Sequence, residues 1–506
     1  MTDEQDTDES PIFGSLAAGG QFYRRPGARL TEPQDESVIS LSSGASAAQH
    51  ESFHAFDKAH TVMLTEEGII QRETGRAILN GLKEMEAQDH VALRQESGRS
   101  AHAGEAYLIT ELGEDIGGSI HLGRSSHDLA STSARLARRD QLLTCAEAAL
   151  DLIEGYVERA AEHLDDPVPT YTGLQHAQVA TIGYCLVSFA RPLERDVDRM
   201  LEAYKRVNKS PAGAAVGTTS DFPINRDRVA ELLGFDGVLD NGEDVDKSFD
   251  GVLESAGVFA TVAANVAIAA DRFLIWYASE FSLIDIPDRF AGTSSIMPHK
   301  KNPHAIESVQ RDTNDMIGAL LQTFAATKNI GGGVRLGTEP VEQTIDNLET
   351  WTSLVAHLQF DVERARELVY RDWALATDLA GMLVREADLP WRSAHQIIAI
   401  LVRNAEEEGF GITEVTPKHI DSAAREYLGS ELGVSQAAID TIVDADRAIE
   451  ARAEVPGSPA PERVREQIAA TESFIEEHRR KISAHREDLC DAEETLEAAV
   501  DAILEA

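Results

Sequence analysis

Residues 262–277 form the most apolar run of the chain, interrupted only by Asn265, Asp271 and Arg272. A helix built from them is apolar nearly all round, so it has no face to give to water. The run is short for a bilayer crossing, which takes about 20 residues. It therefore reads as the buried centre of a helical bundle or of an oligomer. The rest of the chain supplies partners for it. From residue 51, Phe53, Phe56, Ala59, His60 and Met63 fall at three- and four-residue spacings. Similar patterns predict helices over 69–85, 129–156, 248–284, 305–328 and 339–369, a long helix ending at Arg206 and an acidic one from Glu462 onward. Strand-like alternation is scarce. The expected fold class is mainly α, with a central bundle of long helices.

A chain of 506 residues has room for two or three domains. Residues 1–45 are rich in Gly, Ser, Asp and Glu and carry Pro11, Pro26 and Pro33, which reads as a flexible arm. An N-terminal helical domain over 46–119, a central bundle over 120–369 and a C-terminal helical domain over 370–506 complete the expected layout. Asp and Glu number 87 against 46 Lys and Arg, a net charge of −41. Nucleic acid is thereby excluded as a main partner, since phosphate binding needs a basic face. A solvated acidic surface fits solubility in concentrated salt, and an ordinary acidic cytosolic enzyme fits as well. Cys145, Cys185 and Cys490 are isolated, which suggests neither a disulfide framework nor a zinc site. The acidic N-terminus lacks the apolar core of a secretory signal. The expected location is cytoplasmic, with no membrane partner.

Polar joints between the helical patterns hold the chemistry. The first, over 292–303, reads Gly-Thr-Ser-Ser-Ile-Met-Pro-His-Lys-Lys-Asn-Pro. Asn302 followed by Pro303 predicts a helix start, whose positive end would face the loop. With Lys300 and Lys301 it makes a site for an anion and lowers the cost of ionising Ser294. A basic surface turn is the plainer reading. The second joint, Gly117 through Asp128, is rich in Gly and Ser and can bind an anion or simply cap a helix. Gly331, Gly332 and Gly333 lack the lysine spacing of a phosphate cradle and read as a hinge.

The order of residues in these joints resembles the fumarase–aspartase–argininosuccinate lyase superfamily. Ser294, Ser295, Met297, Pro298, Lys300 and Asn302 match its signature loop, and Thr293 replaces its last glycine. The resemblance implies that Ser294 is the base that removes a proton beside a carboxylate, which Lys300 and Asn302 hold. His121, Gly123, Arg124, Ser125 and Asp128 match the argininosuccinate lyase motif His-Thr-Gly-Arg-Ser-Arg-Asn-Asp, and the resemblance implies that Arg124 and Ser125 bind substrate together with Ser126 and His127. Ser126 and His127 stand where that branch has its substrate-contacting Arg-Asn pair. Residues 170–178 resemble its Tyr-Thr-His-Leu-Gln-x-Ala-Gln, giving Thr172 and Gln175 as substrate contacts. Gly173 replaces a histidine that in the family pairs with a glutamate, present here as Glu307. A glycine can neither give nor take a side-chain proton. Either His176 or His127 substitutes, or the step needs no acid. Arg335 and Thr338 replace the family's glutamine and lysine on the amine side, where Arg335 suits an additional carboxylate.

The likeness extends from about residue 50 onward. It implies a three-domain lyase fold whose bundle assembles into a homotetramer, with active sites shared between subunits. The implied reaction is β-elimination from an N-succinyl, dicarboxylate-bearing substrate, releasing fumarate and an amine, without metal or organic cofactor. Argininosuccinate, yielding arginine, is the first candidate. A related N-substituted aspartate is the alternative, and a non-catalytic structural relative is a second class.

Overall fold

The computed structural model describes residues 46–96, 100–327, 337 and 339–505. Helix α1 (Ala47–Glu66) begins at a reciprocal cap: Ser46 Oγ accepts the Gln49 N–H, and Gln49 Oε1 accepts that of Ser46. It packs on α2 (Arg72–Ala87) and α3 (Ala103–Leu112). Helix α4 (Ser126–Glu162) starts at a second such cap, Ser125 with Asp128. Its 37 residues make a rod about 55 Å long.

A hairpin follows where a loop leading into a helix was expected. Strand β1 (Pro167–Thr172) pairs antiparallel with β2 (Gln175–Thr181). Gly173 and Leu174 form its two-residue turn with φ of 57° and 60°, the left-handed pair that a type I′ turn requires. Helix α5 (Ile182–Val207) then runs back along α4.

Helix α6 (Asp250–Tyr277) is the apolar centre. It extends further toward the N-terminus than the run that marked it, and at 28 residues it is long and apolar enough to cross a bilayer. Half of its most apolar window is buried among its neighbours, as in the core of a bundle. Phe273 stacks on Trp276 and Trp351, and the Trp351 indole N–H donates to the Tyr156 hydroxyl at 2.6 Å. Helix α7 (His304–Thr327) packs along α6, and α8 (Glu339–Val355) closes the bundle.

Two expected boundaries change. Helix α7 starts at His304, because Asn302 lies in strand β5 (Lys301–Asn302), paired with β4 (Gly292–Thr293). The single helix expected over 339–369 is broken by β6 (Gln359–Phe360), which pairs with β3 (Ile284–Asp285) before α9 (Val362–Arg371). Asp361 restarts the helix by accepting the Arg364 N–H at 2.9 Å.

Helix α10 (Pro461–Glu505), 45 residues long, joins two of the three apolar clusters. Val464, Ile468, Ile475 and Ile482 belong to the bundle core. Leu496, Val500 and Ile503 complete the cluster of α1 to α3. Arg479 and Arg486 stitch it to α4 through Asp151, Glu154, Asp140 and Glu147. Lys58, almost fully buried, bridges Glu86 and Glu497. A third cluster, with Leu379, Ile397, Leu401 and Ile420 fully buried, gathers 369–449 and Val179 of the hairpin.

Phe273→Ala removes the ring shared by two tryptophans and should cost about 3–5 kcal/mol. Thermal unfolding followed by circular dichroism should show the drop.

Candidate active site

The signature loop is a short ribbon with an exposed tip. Gly292 and Thr293 pair with Asn302 and Lys301, so residues 294–300 project from a closed base. A Cβ on Gly292 would come within 1.9 Å of the exposed His304 ring, which would have to swing aside to admit any larger residue. At the tip, Ser294 Oγ accepts the backbone N–H of Met297 at 3.1 Å and that of Ile296 at 3.4 Å. Two donors aimed at this oxygen favour its ionised form.

The two adjacent lysines have different roles. Lys301 Nζ donates to the Ile286 carbonyl at 2.5 Å and to Asp285 and Asp288 at 3.1 Å each. Burial is the largest single effect and opposes its charge, but Asp285 and Asp288 together outweigh it and raise the group above the usual ammonium value. The Tyr277 hydroxyl donates to the Lys301 carbonyl at 3.0 Å. Lys301 therefore anchors the ribbon, and Lys300 is exposed at the tip. Glu307 is exposed in the first turn of α7.

Thr172 and Gln175 are an exposed cross-strand pair beside the hairpin turn. Gly173 has open space around it. His176 lies beneath, with Nδ1 3.4 Å from Asp372 Oδ2 and its ring edge-on to Tyr171. Burial lowers the His176 imidazole against the opposing pull of Asp372, so it is neutral at pH 7. Tyr171 in turn meets Phe281, between α6 and β3. The hairpin and the signature loop thus share one end of the bundle.

The third motif lies at the other end. Ser125 caps α4, Ser126 is half-buried and His127 is exposed on the first turn. Arg124 points inward: its guanidinium sits over Phe56 and donates to Asp57 Oδ1 at 2.7 Å, with its side chain 1% exposed. It holds the joint together instead of facing solvent. Asp57 also accepts from Arg94 at 2.6 Å. Asp128, fully buried, accepts the N–H of Ser125 at 2.7 Å and that of Gly213 at 2.9 Å. Those interactions tie the 208–217 loop to the joint. Nothing in the spacing of Asp57 or Gly213 marks them as its partners. Arg335 and Thr338 lie outside the described residues.

A bundle of long helices bearing a Gly-Thr-Ser-Ser loop on a two-stranded base defines a helical lyase of the fumarase type. Residues 43–318 match the family model described as Lyase, and residues 373–450 match the argininosuccinate lyase C-terminal model. The chain is 33% identical to the argininosuccinate lyase of Methanococcoides burtonii over 475 residues, 91% of this chain and 94% of that one. It is 32% identical to that of Methanothermobacter thermautotrophicus, covering 89% and 99%. The structure of EDDS lyase in complex with formate superposes with a TM-score of 0.88 at 30% identity, covering 98% of both chains. A class II fumarase from Schistosoma mansoni shares the fold, with a TM-score of 0.67 at 19% identity, 80% of this chain and 91% of that one. The chain belongs to the argininosuccinate lyase branch of the fumarase/aspartase superfamily and is a carbon–nitrogen lyase.

Asp57→Asn leaves two buried guanidinium groups facing a neutral amide, at an expected cost of about 3–5 kcal/mol. Burial would raise the Asp57 carboxyl, but Arg124 and Arg94 outweigh it and hold the group below its ordinary value. Its contribution is therefore complete above the unfolded value of about 3.9 and lost as pH falls below it. Melting curves between pH 7 and pH 3 should show the variant less stable at neutral pH and less sensitive to acid.

Proposed function

We propose that the protein cleaves an N-succinyl substrate into fumarate and an amine, with argininosuccinate, releasing arginine, as first candidate. The observation that carries this reading is the oxygen of Ser294 facing two backbone N–H groups beside the exposed Lys300. Ionised Ser294 takes the proton from the carbon beside a substrate carboxylate. The electron pair spreads into that carboxylate, whose added charge Lys300 and Asn302 stabilise. Its return forms the carbon–carbon double bond and expels the nitrogen. A guanidinium nitrogen already carries positive charge, so it leaves as a neutral base and takes up its proton afterwards. That chemistry needs no acid, in keeping with Gly173 and with a His176 held neutral. Similarity to EDDS lyase favours a second reading in which the amine itself bears carboxylates.

The active site is shared between subunits of a homotetramer. The length of α4 supports this, because it holds Ser126 and His127 about 55 Å from the hairpin of the same chain. A second copy is needed to bring them to Thr172, Gln175 and Ser294. Ile268 on α6 and Ile317, Leu321 and Phe324 on α7 leave an apolar stripe exposed on the bundle, which further copies would cover.

Fumarate release from argininosuccinate, followed by absorbance in high salt, tests the chemistry. Ser294→Ala should lower kcat by about 10²–10⁴-fold without dissociating the assembly; unchanged turnover would remove Ser294 as the base. Faster turnover of an aspartate bearing a carboxylated amine would select the second reading. Leu321→Glu with Phe324→Glu should yield smaller species in analytical ultracentrifugation, and activity should fall in parallel.

A further inference from the structure

Three side chains that no step of the elimination uses converge behind the second joint. His102 and Glu105 lie at the start of α3, and His121 ends the short turn that precedes Arg124. Glu105 Oε2 is 3.1 Å from His102 Nδ1 and 3.0 Å from His121 Nδ1. One ligand atom from each residue lies within 4.8 Å of the other two. The His102 and Glu105 side chains are nearly enclosed, at 8% and 6% exposure, and the His121 ring is 31% exposed although its Nδ1 is itself buried. The two rings are tilted by 31° with centroids 5.4 Å apart, both turning Nδ1 toward the carboxylate.

A tetrahedral ion bound at about 2.0–2.1 Å places its ligand atoms roughly 3.3 Å apart. Two of the three separations here already come within a few tenths of an ångström of that. Two imidazoles and one carboxylate are the donor set of a borderline-soft transition ion, not of magnesium or calcium. From this geometry we infer that His102, Glu105 and His121 form a site for a divalent transition ion of the zinc class, with a water completing its coordination. The ion takes its place between the two Nδ1 atoms and the carboxylate, each imidazole binding in its neutral form with its proton on Nε2. Cysteine spacing pointed away from any such site, because its ligands are histidines that only the fold brings together.

Bound there, the ion fastens α3 to the turn that leads into Arg124 and Ser125. It acts on the joint as a clasp and takes no part in bond breaking.

The test uses the full chain, stripped by chelator in high salt and re-equilibrated with Co²⁺ or Zn²⁺. Metal per chain is measured after gel filtration. The expected result is one retained ion per chain, an intense visible Co²⁺ band and a raised melting temperature. Glu105→Gln, which keeps a hydrogen-bond acceptor, and His121→Ala should each lose all three effects while eluting as the parent does. Failure of the parent protein to retain either ion overturns the inference, whatever the variants do. Equal retention by parent and Glu105→Gln also overturns it, since surface carboxylates would then hold the metal.

Discussion

The length of one rigid rod governs the arrangement of everything that could touch a substrate. Helix α4 runs unbroken for 37 residues, and the chain places one candidate binding motif just before it and another just after. A straight helix cannot bring its own ends together. The return helices α5 and α6 therefore decide which motifs meet within a chain. Helix α6 begins near Arg135 and Val207 and ends beneath the hairpin, so the signature loop shares the hairpin's end. The joint with Ser126 and His127 is left at the opposite end of the bundle.

What the sequence made legible follows from the range of the interactions involved. The long helices could be read because their apolar spacing repeats many times, and most ends lie within a few residues of expectation. The hairpin was missed because Pro167 and Pro169 weaken a strand pattern and its two strands alternate poorly. The break at 356–361 was missed because Leu354, Val355, Leu358 and Phe360 continue a helical spacing across it. Only a distant strand, Ile284–Asp285, gives those residues another partner. In the signature loop, the composition showed two equivalent lysines. Their division of labour depends on Asp285 and Asp288, which approach one of them alone.

Arg124 shows the same limit at a single residue. Its place in a motif suggests contact with an anion, and it does make one, with the chain's own Asp57. An arginine and a carboxylate far apart in sequence carry no local sign of pairing. A chain with 87 acidic residues offers many candidates for each cation. Buried arginines thus serve the interior, while unpaired acidic groups are left to the surface.

Helix α10 has a consequence for how the protein comes to be made. The core around Phe53, Phe56 and Leu79 is completed by Leu496, Val500 and Ile503, more than 400 positions downstream. The opening segment can collapse as it leaves the ribosome, but it must keep a hydrophobic groove unfilled until those residues emerge. Until then that groove exposes apolar surface that a chaperone can shield.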